Sequence, residues 1–212
     1  MSRIAVLGSG HTGPIVARMA VEAGHQVFLS ASGDPRKIAL IAAVLAPGAE
    51  ARWAAEAVRD ADIVVLAIPM HAFTELDPAI FDGKLVIDIM NYWPPNDGVL
   101  ELFEDTGRGS SEVVAERLAR ATVVKTLNHI GYHDMDERRL PPGAPGRLAL
   151  GVAGDDPAAV DAVAELVDSF GFDAVKFSAL SAGRGFEPGH PVFGALLTRD
   201  EFLTALDLLS DQ

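Results

Sequence analysis

Residues 4–13 read Ile-Ala-Val-Leu-Gly-Ser-Gly-His-Thr-Gly, an apolar run closed by glycines at positions 8, 10 and 13. A helical pattern opens at Pro14, with Ile15, Val16, Met19, Ala20 and Ala23 recurring on one face. A strand, a glycine turn and a helix in that order leave few folds open. Gly8 permits the tight turn, Gly10 lets an anion approach the backbone, and Gly13 lets helix and strand pack closely. The N–H groups at the helix start and the positive end of its dipole then face the anion. Gly8, Ser9, Gly10, His11, Thr12 and Gly13 are therefore the candidate pyrophosphate site for a dinucleotide. The competing reading is a glycine-rich turn in some other α/β fold.

Strand and helix patterns alternate from there on, as a mostly parallel, doubly wound α/β sheet of the Rossmann type requires. Strands are expected at Gln26–Ser30, weakly at Ala51–Trp53, and at Asp62–Ile68, Lys84–Asp88 and Thr122–Thr126. Helices are expected at Pro35–Leu45, Ala54–Arg59 and Ser111–Arg120. The near-continuous β-branched runs suit strands buried on both faces. Residues 128–147 read as a polar loop broken by Pro141-Pro142-Gly143, and a loop of that length is usually functional or mobile. A strand at Arg147–Ala153, a helix at Pro157–Phe170 and a strand at Ala174–Phe177 follow. Then come an irregular stretch at 178–191 and a short helix around Arg199–Leu209. The expected organisation is a dinucleotide-binding core at 1–127, with 128–212 as a sheet extension and acceptor-facing loops of the same domain.

Composition excludes several functions. Cysteine is absent, which removes disulfides, thiolate catalysis and cysteine metal sites and suits a reducing cytoplasm. No apolar stretch reaches the ~20 residues that span a bilayer, and the N-terminus lacks a cationic signal region, so a cytoplasmic protein without a membrane partner is expected. A formal net charge of −13 argues against a nucleic-acid surface. A homodimer is left open.

An NAD site usually places Asp or Glu at the end of the second strand, on the ribose hydroxyls. Here residues 29–37 read Leu-Ser-Ala-Ser-Gly-Asp-Pro-Arg-Lys. Small hydroxyls come first and two cations follow, so NADP is favoured over NAD. Ser32, Arg36 and Lys37 are the candidates for its 2′-phosphate, through charge-assisted hydrogen bonds. Alternatively, Arg36 and Lys37 form the solvated first turn of a helix, and Asp34 serves NAD or caps that helix.

Four segments together carry a resemblance: Gly8–Gly13, Ala67-Ile68-Pro69, Asp88-Ile89-Met90-Asn91-Tyr92-Trp93-Pro94, and Val124-Lys125-Thr126-Leu127-Asn128-His129-Ile130. With Ala153–Asp156 in the same order, the chain resembles the coenzyme F420-dependent NADP oxidoreductases, in particular their short F420-dependent-like group, from about Arg3 to Pro188. The N-terminal domains of eukaryotic six-transmembrane ferric reductases are similar too. The resemblance implies a nicotinamide over Ile68, Pro69 and Met70, near Met90 and Asn91. It implies a deazaflavin stacked beside the loop after the sixth strand. Where family members carry histidine, threonine and isoleucine on that loop, this chain has Asn128, His129 and Ile130. Ser32 stands where an arginine often supports the 2′-phosphate, and the C-terminal helix that completes the deazaflavin pocket is represented by a short, dissimilar tail.

Hydride transfer between a nicotinamide and a flavin-like ring needs no nucleophile, so no catalytic residue is expected beyond positioning groups. Tyr92 and Trp93 offer stacking faces, and the amides of Asn91 and Asn128 offer orientation. The alternative for the aromatic pair is plain packing under Pro94-Pro95. His129 and His133 stand four apart, as on one helical face, although Gly131 lies between them. His71 is placed either to reach a nicotinamide carboxamide or to sit at the surface. Arg138, Arg139, Arg147 and Arg184 are candidates for an anionic acceptor tail. The expected co-substrate is coenzyme F420 or another small redox acceptor. A non-catalytic NADPH-binding sensor and a dehydrogenase of a small substrate are the alternatives.

Overall fold

The computed structural model describes residues 1–104 and 106–210. One sheet runs through it. In chain order its strands are β1 (Arg3–Leu7), β2 (Gln26–Ser30), β3 (Glu50–Ala51), β4 (Ile63–Leu66), β5 (Leu85–Asp88), β6 (Thr122–Lys125), β7 (Ala149–Gly154) and β8 (Asp173–Phe177). Their spatial order is β3-β2-β1-β4-β5-β6-β7-β8. The first six are parallel, β7 is antiparallel to β6, and β8 is parallel to β7. The helices are α1 (Thr12–Glu22), α2 (Ala39–Leu45), α3 (Ala54–Asp60), α4 (Met70–Thr74), α5 (Pro94–Asp97), α6 (Ser110–Arg117), α7 (Tyr132–Glu137), α8 (Pro157–Ser169) and α9 (Arg199–Ser210). This is the doubly wound Rossmann fold, and the strand order reverses between β1 and β4, where such sheets open a ligand crevice.

The two-residue period of the strands builds the two faces. Ile4, Val6, Ile63 and Val65 lie on one face, in one continuous core cluster with Val16 and Met19 of α1 and with Val160, Val163 and Val167 of α8. Ala5, Leu7, Val64 and Leu66 point the other way, into a second cluster shared with Ala57 and Val58 of α3 and Val113 and Val114 of α6. Burying a Val, Leu or Ile side chain contributes about 1.5–3 kcal/mol, so this two-sided burial is what holds the sheet. A third cluster covers the antiparallel extension, where Phe186, Val192 and Phe202 close over Ala149, Ala153 and Val175. The strands after Thr126 do extend the same sheet.

Two expected elements take a different form. The helix expected at Pro35–Leu45 is interrupted: Pro35–Lys37 is a 3-10 turn capped by Asp34, and α2 begins only at Ala39. The Asp34 carboxylate accepts from the Arg36 N–H at 2.9 Å, which tightens the first turn away from α-geometry. The loop expected at 128–147 contains α7. Gly131 does not block that helix; it precedes it in extended conformation, and the helix is tied to α1 by the Arg18–Asp136 ion pair. His129 lies before α7 and His133 within it, so the two share no helical face.

Candidate functional site

The glycine turn is dictated by backbone contacts at two of its three positions. Gly8 has φ +124°, and a Cβ there would stand 2.1 Å from the Ala67 carbonyl oxygen. A Cβ on Gly13 would stand 1.8 Å from the Gly8 carbonyl oxygen. Gly10 differs, because a Cβ there would meet nothing within 4 Å. The open side of Gly10, beside the N-terminus of the eleven-residue α1, is a cradle that fits a pyrophosphate.

That turn forms one end of a cavity of about 610 Å³ at the switch point. Gly10, His11 and Thr12 line it together with Ile68, Pro69, Met90, Asn91 and Trp93, so eight expected site residues from three segments meet there. Asn91 is held rather than free. Its Nδ2 donates to the Asn128 carbonyl oxygen at 2.7 Å, and its Oδ1 accepts from Asn128 Nδ2 at 2.9 Å. Ser32, Arg36 and Lys37 sit exposed at the end of β2, outside the cavity. There the Arg36 guanidinium is paired with Asp34.

A buried ion pair supports the cavity wall. Asp88 and Lys125 end β5 and β6, face each other in register and are both fully buried. Lys125 Nζ lies 3.3 Å from Asp88 Oδ2 and donates to the Met90 carbonyl oxygen at 2.5 Å. Asp88 Oδ1 accepts from the Met90 N–H at 2.8 Å, and Oδ2 accepts from Ser111 Oγ at 2.6 Å. Both polar backbone groups of Met90 are thus held by one charge pair. The lysine stem passes over Gly183, where a Cβ would stand 2.9 Å from its Cγ. The apolar runs around Asp88 and Lys125 were the available signal for this pair, since a charge closing a buried strand needs a partner.

Several expected contacts are corrected by burial. Met70 opens α4 with its side chain fully buried in the core below. Tyr92 turns away from the cavity, stacks on Phe103 with ring centroids 5.3 Å apart, accepts from the Leu100 N–H at 3.0 Å and bonds Glu104. Trp93, its neighbour, lines the cavity instead. Asn128, His129 and Ile130 are all buried and line none of it. Arg147 is buried as well, spending its guanidinium on Asp168, Asp173 and the Leu140 carbonyl oxygen. Arg184 donates to the Gly107 carbonyl oxygen, and Arg139 pairs with Glu22. The cavity also takes Tyr132 from the start of α7, and Pro188 and Phe193 from irregular stretches where no periodicity could single them out.

His129 is a structural histidine. Its Nε2 accepts from the Gly151 N–H at 3.2 Å and its Nδ1 faces Asn128 Oδ1 at 3.3 Å, which puts the ring proton on Nδ1. The rings of Phe186 and Phe202 flank it. Burial, and then the Lys125 charge, push its pKa from 6.5 down to about 3. Below pH ~6.5 the unfolded chain therefore binds a proton that the folded chain refuses. Stability falls as pH drops from there toward 3, by up to ~1.4 kcal/mol per unit. His25, lowered by partial burial and the N-terminal amine, acts in the same direction. In urea unfolding between pH 6.5 and 5, His129→Gln is expected to lose less stability than the parent. Equal slopes would overturn the buried neutral assignment.

Among the described residues no helix is long and apolar enough to cross a membrane. The chain is similar over almost its whole length to the solved structure of hypothetical protein SMa0349 from Sinorhizobium meliloti. The identity is 25%, the TM-score 0.80, and the match covers 94% of this chain and 97% of that one. It is also similar to the solved structure of a candidate F420-dependent NADP reductase from Arthrobacter sp. FB24, at 27% identity and TM-score 0.71, covering 87% and 88%. Glycerol-3-phosphate dehydrogenase [NAD(P)+] of Tropheryma whipplei is 29% identical over 167 residues, 74% of this chain and 42% of that protein. The chain spans less than half the length of the curated relatives it matches. Residues 3–92, which hold the glycine turn and one wall of the cavity, match the model described as NADP oxidoreductase coenzyme F420-dependent.

Proposed function

We propose that the chain is an NADP-dependent oxidoreductase passing hydride between NADPH and coenzyme F420 or a related flavin-like acceptor. The observation that carries this reading is the single cavity joining the open side of Gly10 to the apolar wall of Ile68, Pro69 and Met90. Bound NADPH supplies the hydride. The turn's N–H groups hold the pyrophosphate, and Ile68, Pro69 and Met90 press on the reacting ring and exclude water. Asn91, fixed by Asn128, orients it. Trp93, 44% exposed, offers a stacking face to the acceptor.

Nucleotide choice follows from the end of β2. The Asp34 carboxylate is occupied by the Arg36 N–H and guanidinium, so it is turned to a cation and not to a ribose. Ser32 and Lys37 remain exposed beside it for a 2′-phosphate. NADPH is expected to bind more tightly than NADH by roughly 1–3 kcal/mol, the worth of one or two charge-assisted bonds. Calorimetric titration with both nucleotides checks this, and equal affinities would remove the roles of Ser32, Arg36 and Lys37. Stopped-flow absorbance with NADPH and coenzyme F420, beside flavin mononucleotide and a quinone, tests the acceptor. Turnover of another acceptor but not the deazaflavin would discard the named partner, and tight NADPH binding without any turnover would replace catalysis by sensing.

A further inference from the structure

One ionisable pair on the cavity wall has no task in hydride transfer. His71 on α4 and Asp97 on α5 meet there, with Nδ1 3.1 Å from Asp97 Oδ1. The Asp97 side chain is only 4% exposed, whereas the His71 side chain is 51% exposed. Asp97 is anchored on both elements, since it also accepts from the His71 N–H at 3.3 Å and the Trp93 N–H at 3.1 Å. A carboxylate can only accept here, so it keeps the proton on Nδ1 and sets the ring's orientation. Among the described residues Nε2 has no hydrogen-bond partner. Asp97 is the charged group against this ring. The other titratable side chains on the cavity wall, His11 and Tyr132, stack on each other with centroids 4.9 Å apart.

We infer that His71, oriented by Asp97, is the proton donor that completes reduction of the acceptor in this cavity. The inference rests on the oxidoreductase reading above and deepens it. An acceptor whose conjugated ring takes hydride from NADPH, at carbon in a deazaflavin or at nitrogen in a flavin, is left with a negative charge on a conjugated nitrogen or oxygen. The His71 Nε2–H bond breaks and that heteroatom takes the proton. NADPH leaves as NADP⁺, the acceptor gains two electrons and two protons, one within the hydride and one from His71, and His71 is left neutral with Nδ1–H on Asp97. The exposed edge of the ring then recovers its proton from water. The acceptor class is thus a conjugated C=N or C=O compound, the chemistry shared by deazaflavins and flavins.

The test uses the full chain with NADPH and whichever of coenzyme F420 or flavin mononucleotide it reduces. His71→Ala is expected to lower kcat by about 100-fold, the low end for a lost general acid, with NADPH affinity in calorimetry unchanged within about threefold. The parent rate should fall as pH rises and the imidazolium is lost, and His71→Ala should remove that limb. Asp97→Asn should keep the limb at a reduced rate. Independently of turnover, ¹⁵N spectra of the imidazole should show the Nδ1–H form in the parent and a mixed population in Asp97→Asn. A His71→Ala protein with parental kcat and pH profile overturns the inference while leaving the oxidoreductase reading intact. Absence of turnover with every acceptor overturns both.

Discussion

Gly10→Val is expected to abolish dinucleotide binding while leaving the protein folded, and Gly13→Ala is expected to do the reverse in order of cause. A side chain on Gly10 enters open space, with nothing within 4 Å of its Cβ, so the fold has no reason to change. It fills the side through which a pyrophosphate would approach. The loss in affinity should be about 100-fold or more, or about 2.7 kcal/mol. A Cβ on Gly13 instead lies 1.8 Å from the Gly8 carbonyl oxygen, a distance no packing tolerates. Strand and helix must separate, at a cost of roughly 1–3 kcal/mol or more. For a chain of this size that corresponds to a drop in Tm of about 2–4 °C per kcal/mol. Thermal unfolding and calorimetric titration of NADPH, run on both variants, separate the two effects. Binding retained in Gly10→Val would sink the pyrophosphate assignment, and an unchanged Tm in Gly13→Ala would sink the packing one.

The second large effect is expected at the buried pair. Lys125→Met keeps the volume of the side chain and removes its charge. The Asp88 carboxylate then stays fully buried with Ser111 Oγ and the Met90 N–H as its only donors among the described residues. Removing one partner of a buried pair typically costs about 3–5 kcal/mol, because the remaining charge has no compensation. Ser111→Ala, which leaves both charges in place, should cost about 1 kcal/mol. Urea unfolding of the two variants checks the order. A Lys125→Met protein within 1 kcal/mol of the parent would mean that the pair contributes little. NADPH affinity should also weaken in Lys125→Met, since the Met90 carbonyl oxygen loses the ammonium that holds the cavity wall.

What could be read without coordinates was local. β1, the glycine turn and α1 follow from an apolar run, three glycines and a helical period within about twenty residues. Short-range sterics and periodicity suffice for them. The sheet and its two covered faces follow from the same alternation repeated along the chain. The extent of each helix was legible only where no side chain competed with the backbone. At Asp34 one did, and the helix broke into a 3-10 turn and α2.

The roles of neighbouring residues were not legible. Tyr92 and Trp93 are adjacent, of similar chemistry and equally suited to stack on a ring. Only Trp93 reaches the cavity, because Tyr92 finds Phe103, Leu100 and Glu104 from a later segment. His71 and His129 show the same split, one on the cavity wall beside Asp97 and the other sealed under Phe186 and Phe202. The expected contacts of Asn128, His129 and Ile130 with an acceptor failed for this reason: the antiparallel β7 and the segments above it bury them.

By itself, then, the sequence determined the strand–turn–helix, the parallel sheet and the geometry of the glycine turn, each set by contacts within a few residues. The tertiary structure decided which side chains face the cavity, where Lys125 meets Asp88 from 37 positions away and where Asp97 meets His71 from 26. Those pairings depend on strand register and loop closure, free energies summed over the whole packed chain, and no window of local propensity contains them.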